Sequence, residues 1–568
     1  MRLTCLSLLL LTSLLASCAH FGDHDSSVAA PTGHQQGHSR SLYLYSRARL
    51  ASLDGDFTSA TQMLAEAIAA DPNSSFLHSA MGEAKLKTGQ VQEALEYINR
   101  AIKLDPTQRD PYVLAGVLMS TSGRDRQAVD YLKKAVSLNP KKEDAYLHLA
   151  VSLTRLFEYE EAVNTLKGLI KLNSDSVLGY YYLGRTYSQM KLYRDAAGYF
   201  KKSIELRPEF DQAAIDMAAS HEALGDYSKA IEIYQSILEH GDVRPAVLQR
   251  LIQLLIQQRR YEDALEQLNR AAETGLGGQE TMRKIGLIHL ELEQYDEAVK
   301  VFSGILAKEP NAHAARLYLG MAFEEKGLLD RAYEEFGRVP QGSAPYAEAA
   351  SHMVFILKEK GQVDAAFKFI KVAIAADPGQ LEYYLSLSTL HEGQGQNDLA
   401  LKVLQDVENR FLKEYKLHFR LAVIFDKLGQ KQAAIDRMKI VLSINPKDPQ
   451  ALNFLGYSYA ELGINLDEAL LYIKQALELR PGDGFFLDSL GWVYFKMKKY
   501  DLALRYLEEA ARIVEDDSTI IEHLGDVHLA RREYKKALKM YRKSSEIEPT
   551  RKELHEKIRK LRQEHGER

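Results

Sequence analysis

Three dipeptides in this chain begin a zinc-hydrolase motif: His221-Glu222, His391-Glu392 and His555-Glu556. Such a motif needs a second histidine four residues on, because only that spacing puts both imidazoles on one helical face at a metal. The required places hold Gly225, Gly395 and Arg559, so none of the three can hold zinc. The chain has two cysteines, Cys5 and Cys18, both before residue 20, which excludes a cysteine metal site or a thiol nucleophile in the rest of the chain. His20, His24, His34 and His38 are irregularly spaced in a polar stretch and read as a soluble spacer rather than a metal tract. Phosphate-cradling glycine loops and the G-x-S-x-G nucleophile elbow are absent. The reading is therefore non-enzymatic, with no metal and no cofactor. The remaining residues suited to recognition are aromatics near the C-terminal end: Tyr457, Phe485, Trp492 and Phe495.

The elements that position them follow from a repeat. Alanine recurs every 34 residues from Ala60 through Ala94, Ala128 and on to Ala434, slips by one residue, and resumes at Ala469, Ala503 and Ala537. Glycine keeps the same beat at Gly55, Gly89, Gly123, Gly225, Gly327, Gly361, Gly395, Gly429 and Gly463; proline keeps it at Pro72, Pro106, Pro140, Pro208, Pro310, Pro378 and Pro446. This spacing of small, turn and stop residues predicts stacked helix–turn–helix units. Between Leu77 and Pro106, the residues Met81, Leu86, Ala94, Ile98 and Ala101 recur at helical intervals around a turn at Gly89. Ala94 is expected where two antiparallel helices come closest, and Asp105-Pro106 where the second helix stops.

The pattern resembles the tetratricopeptide repeat. One copy reads LGYYYLGRTYSQMKLYRDAAGYFKKSIELRP, with Gly184, Tyr187, Ala196, Phe200 and Pro208 at the family's places and Ser203 where alanine is usual. Another carries Gly491, Tyr494, Ala503, Leu507 and Ala510. The resemblance implies an all-α fold: a right-handed superhelical solenoid of about fifteen repeats over residues 41–551. Breaks in rhythm at 275–278 and 336–346 are expected to be bends within one array. Residues 552–568, where Leu554, Ile558 and Leu561 form one apolar stripe, are expected to be a capping helix.

In this family the first helix of each unit lines an inner groove. The lysine–asparagine clamp of chaperone-binding members is missing: the matching places include Tyr45, Arg49, Ser79, Glu83, Val113 and Val117. Tyr457, Phe485, Trp492 and Phe495 are then the expected groove anchors for a partner, with packing of Trp492 and Phe495 between repeats as the alternative.

At the other end, Met1-Arg2, an apolar run over Leu6–Leu15 and then Leu15-Ala16-Ser17-Cys18 resemble a bacterial lipoprotein signal peptide. The resemblance implies removal of residues 1–17, lipidation of Cys18, and a flexible tether over residues 18–40 reaching roughly 25 Å. Ala19 in place of the aspartate that favours inner-membrane retention points to the outer membrane, periplasmic face. A net charge of −5 with interleaved signs gives no footprint for nucleic acid. The segment from Ala451 to Ala510 resembles the terminal repeats of envelope lipoproteins of this family. That implies a lipid-anchored scaffold for protein partners in export, pilus, secretion or cell-wall assembly. The alternative is a subunit that binds an exopolysaccharide or cell-wall glycan along its groove.

Overall fold

The computed structural model describes residues 33–239 and 244–565, with side chains from residue 38 onward. The expected signal peptide, Cys18 and the first part of the expected tether, with His20 and His24, lie outside the described residues. Among the described residues there are thirty-one α-helices and no strand, an all-α solenoid of fifteen helix pairs followed by one last helix. The first helix, Gly33–Leu53, begins inside the segment expected to be tether.

The unit built on Ser75–Lys87 and Val91–Leu104 shows how the sequence makes each pair. Ser74 caps the first helix, its hydroxyl accepting from the Leu77 amide. Gly89 turns the chain at φ +76°, a left-handed conformation that costs glycine nothing, and lets its amide reach the Leu86 carbonyl at 3.1 Å. The second helix buries Ala94, Ile98 and Ala101 and stops at Asp105, whose carboxylate accepts from Thr107. All fifteen in-register alanines are at most 1% exposed, as a close helix–helix contact requires.

In eight of the pairs a glycine of the first helix makes a second seat. A Cβ on Gly184 would lie 2.7 Å from the Phe200 ring, and one on Gly320 would lie 2.5 Å from Phe336. The first helix gives up its side chain where the second brings a large one. Ser203 is fully buried, and its hydroxyl donates to the Val177 carbonyl at 2.9 Å, so the departure from alanine is satisfied internally.

The turn position normally held by glycine carries Phe157, Lys191, Arg259, Glu293, Lys498 and Arg532, all with φ between +55° and +62°. The turn geometry is thus kept even where the residue type opposes it. At the slip in the alanine register, the extra residue sits in the turn after the helix Pro449–Leu462, with Gly463 and Asn465 both left-handed. The second helix Leu329–Gly337 is cut to nine residues by Pro340, as its two prolines and two glycines predict. A second short helix, Asn397–Gln405, followed by a 3-10 turn at Glu408–Arg410, has no such warning in the sequence.

The residues group into two compact units, one up to Gln267 and one from Leu268. The division falls inside the helix Tyr261–Glu273; the glycine turn expected as a bend follows it, with Gly275, Gly277 and Gly278 all at positive φ. In the first unit Ile98, Leu132, Leu153, Leu166 and Phe200 are fully buried; in the second Phe302, Phe336, Ile370, Met438, Ile473 and Leu507 are. The last helix, Lys552–His565, buries Leu554 and Leu561 against Ala537, Leu538 and Tyr541 and turns its charged residues outward, Lys557 excepted.

Candidate functional site

Three consecutive first helices of the second unit supply the aromatic site: Pro449–Leu462, Gly484–Lys496 and Ser518–Ala530. Asp483 starts the middle one, its carboxylate accepting from the Phe485 and Phe486 amides at 3.0 and 3.2 Å. Trp492 lies two turns on and is 7% exposed. Its ring stacks on Phe495 at 4.8 Å and on His523 of the following repeat at 3.9 Å. The indole N–H donates to the Glu461 carboxylate of the preceding repeat at 2.6 Å. Trp492 therefore packs between repeats. It ties three of them together.

Tyr457 joins the same group, 6.4 Å from His523. Burial, reinforced by the nearby Glu461 and Asp488 carboxylates, pushes its hydroxyl pKa well above the ordinary tyrosine value. His523 Nδ1 lies 2.8 Å from Asp488 Oδ1, within hydrogen-bond distance. The Lys496 ammonium sits 5.0 Å from the Trp492 ring centre, within cation–π range, and donates to the Glu461 carbonyl. Of the four expected anchors, Tyr457, Trp492 and Phe495 thus come together. Phe485 stays apart, at the start of the same helix and 56% exposed.

The carboxylates around this group have internal partners. Glu461 holds Trp492 and Asp488 holds His523. Asp526 takes the Lys557 ammonium of the last helix at 2.7 Å and the Tyr541 hydroxyl at 2.6 Å. Glu522 pairs with Arg551 and Lys557. Burial pulls Lys557 toward the neutral form, but Asp526 and Glu522 outweigh it and hold its pKa up. Phe485 is exposed and Phe495 and Tyr500 are half-buried, with exposed Lys498 and Lys499 beside Tyr500. His523, Glu461 and Asp488 were not singled out from sequence. They are found by laying one first helix on the next, since His523 stands 35 residues after Asp488 and Glu461 31 before Trp492.

In the first unit a cavity of about 410 Å³ opens between Tyr182, Arg185, Thr154 and Arg155, with Phe157 at its rim. Phe157 is 76% exposed and held at φ +61°. An exposed aromatic in a strained turn is a candidate contact residue. Its trace in the sequence is a missing beat in the glycine series, at 157.

Tetratricopeptide-repeat family models match residues 51–116, 110–142, 144–176, 181–246, 223–277, 283–348, 426–484 and 487–516, well over half of the chain. The TPR repeat-containing protein PA4667 of Pseudomonas aeruginosa is 26% identical over 187 residues, covering 33% of this chain and 32% of that protein. The Protein CTR9 homolog of Arabidopsis thaliana is 24% identical over 285 residues, covering 47% of this chain and 26% of that protein. The chain thus spans about a third or less of the length of these two curated relatives. Among solved structures, the APC/C hetero-tetramer Cut9-Hcn1 aligns with a TM-score of 0.41 and 15% identity, over 84% of this chain and 95% of that one. The family matches fall on the helix pairs described above, and this chain belongs to the tetratricopeptide-repeat family.

Proposed function

We propose that this chain is a lipid-anchored scaffold of a bacterial envelope that holds protein partners against the first helices of its repeats. The observation that carries the anchor is Leu15-Ala16-Ser17-Cys18 directly after an apolar run. Cys18 joins the membrane through acyl chains, and the array faces the periplasm from the outer membrane. Several chains on one cysteine hold far more firmly than one. The scaffold part rests on the repeat architecture, in which each pair adds surface without adding a catalytic centre. Near the C-terminal end, Phe485 and Phe495 offer the apolar contact, while Trp492 fixes the helices that present them.

Metabolic labelling with a fatty acid tests the anchor. The wild-type chain takes up label, and Cys18→Ala does not and is left soluble or uncleaved. Normal membrane fractionation and mature mass in Cys18→Ala would refute it. For the scaffold, a photo-crosslinking side chain at Phe485 should trap a protein in intact cells. Capture of glycan alone would replace the protein-scaffold reading with a polysaccharide-binding one.

A further inference from the structure

The first helix, Gly33–Leu53, is apolar on two sides. One side packs into the array through Leu44, Ala48 and Ala51. The other presents Leu42, Tyr43, Leu50 and Leu53, which are 48%, 61%, 62% and 73% exposed. At 3.6 residues per turn these four cover roughly 100° of the helix surface, opposite the packed side. Arg40 and Arg47, both exposed, border this strip on one edge. Arg49 on the other is also exposed but reaches the Glu83 carboxylate of the next repeat at 3.8 Å, so the free charge lies on the Arg40–Arg47 edge. The helix contains no aspartate or glutamate.

Comparison with the next repeat shows what this face lacks. Thirty-four residues after Tyr43, Arg47 and Leu50 stand Leu77, Met81 and Ala84. Those three are buried, with Ala60, Leu64 and Ala67 of the helix Phe57–Ala70 packed on them. The first helix has no described helix before it to do the same. The last helix of the chain, by contrast, turns charged residues outward, as the end of a repeat array should.

We propose that this outward face lies on an anionic lipid surface. Apolar side chains bordered by arginines, without a carboxylate on the helix, match a bilayer of anionic headgroups, where each arginine adds attraction and the leucines enter the acyl boundary. Among the described residues no helix is long and apolar enough to cross a membrane, so the contact is in the plane of the surface. The inference deepens the anchored reading and rests on it for proximity. Fourteen residues separate Cys18 from Gly33, a span of at most about 50 Å at full extension.

The test uses the chain from Ala19 to Arg568, which keeps every described residue and has no acyl site. It is floated with vesicles of 30% phosphatidylglycerol in phosphatidylethanolamine, and separately with phosphatidylcholine alone. At low salt, at least tenfold more protein should float with the anionic vesicles, and the difference should shrink as salt is raised. Tyr43→Asp with Leu50→Asp should abolish flotation with helicity unchanged, since both side chains are exposed. Arg40→Glu with Arg47→Glu, which leaves the apolar residues in place, should do the same. No flotation of the wild-type chain, or flotation indifferent to both pairs of substitutions, overturns the proposal. So does a sedimentation mass of two copies that falls to one in Leu50→Asp without vesicle binding, which would make the face a contact between chains. Fatty-acid labelling of Cys18 is read separately. Labelling without vesicle binding sinks this inference alone, and vesicle binding without labelling sinks the anchor alone.

Discussion

The imidazole of His523 lies flat on the indole of Trp492, with ring centres 3.9 Å apart and planes 16° from parallel. The two residues belong to first helices of consecutive repeats, so the stack is an inter-repeat joint.

Trp492→Ala should therefore cost stability first. Removing a large buried aromatic leaves a cavity worth about 3–5 kcal/mol. Because coupling in such arrays is between neighbours, hydrogen exchange should quicken in the repeats around 449–530 and stay slow in distant ones. Trp492 is the sole tryptophan, so its emission reports the joint directly. His523→Ala should shift that emission toward longer wavelength by letting water reach the ring. An unshifted spectrum would contradict the stack.

The glycine seats predict a compensating pair. Gly320→Ala places a methyl against Phe336, with a Cβ 2.5 Å from the ring, and should destabilise by about 1–3 kcal/mol through overpacking. Adding Phe336→Leu should recover part of that loss, so the double variant is more stable than the two single effects summed. Strict additivity in denaturant melts would show that the seat is not the cause.

Strained turns predict stabilisation by glycine. Lys191 and Lys498 hold φ of +60° and +62°, where a side chain costs roughly 1–2 kcal/mol. Lys191→Gly and Lys498→Gly should each raise stability by about 1 kcal/mol, less the extra freedom glycine gains when unfolded. The same substitution at exposed Lys201, inside a helix, should lower it. Thermal melts of the three variants decide between strain and an indifferent turn.

Acid should loosen the last repeats. Lys536, Arg531 and His528 all reach the Glu533 carboxyl and hold its pKa down to about 2. A carboxylate with a folded pKa below its unfolded value near 4.3 contributes stability that is present above that pH and lost as pH falls toward 2. Glu533→Gln removes that dependence. Its melting temperature should lie below wild type at pH 6, and the gap should narrow below about pH 4 and close only as pH nears 2. A gap independent of pH would assign the effect to lost packing.

The helix pairs were legible because every repeated residue type answers a distinct physical demand, whether a methyl at the helix contact, a left-handed turn or a stop. Those demands recur at a fixed interval, and the interval survives even where Lys191 or Glu293 replaces the glycine. The aromatic site was legible only in part. Trp492 was visible as a rare residue, but its partners Glu461 and His523 come from other repeats, and no local pattern marks them. Phe485 shares the helix of Trp492, yet its place at the helix start leaves it outside the stack. The nine-residue helix Asn397–Gln405 was missed because no proline or glycine follows it; the chain turns instead through Glu408–Arg410.

The extra residue beside Asn465 has a consequence for how such a chain can change. It is taken up within one turn: Gly456 faces Ile473, one residue farther along than the spacing between Gly491 and Leu507, and the next alanines resume at 34. A copying error of one residue in a turn thus leaves the downstream units in phase with one another. Inside a helix the same error would rotate every following side chain by about 100° and take the alanine out of its contact. The unit is therefore closed to insertion along its helices and open to it at its turns, and the sequence keeps its history there.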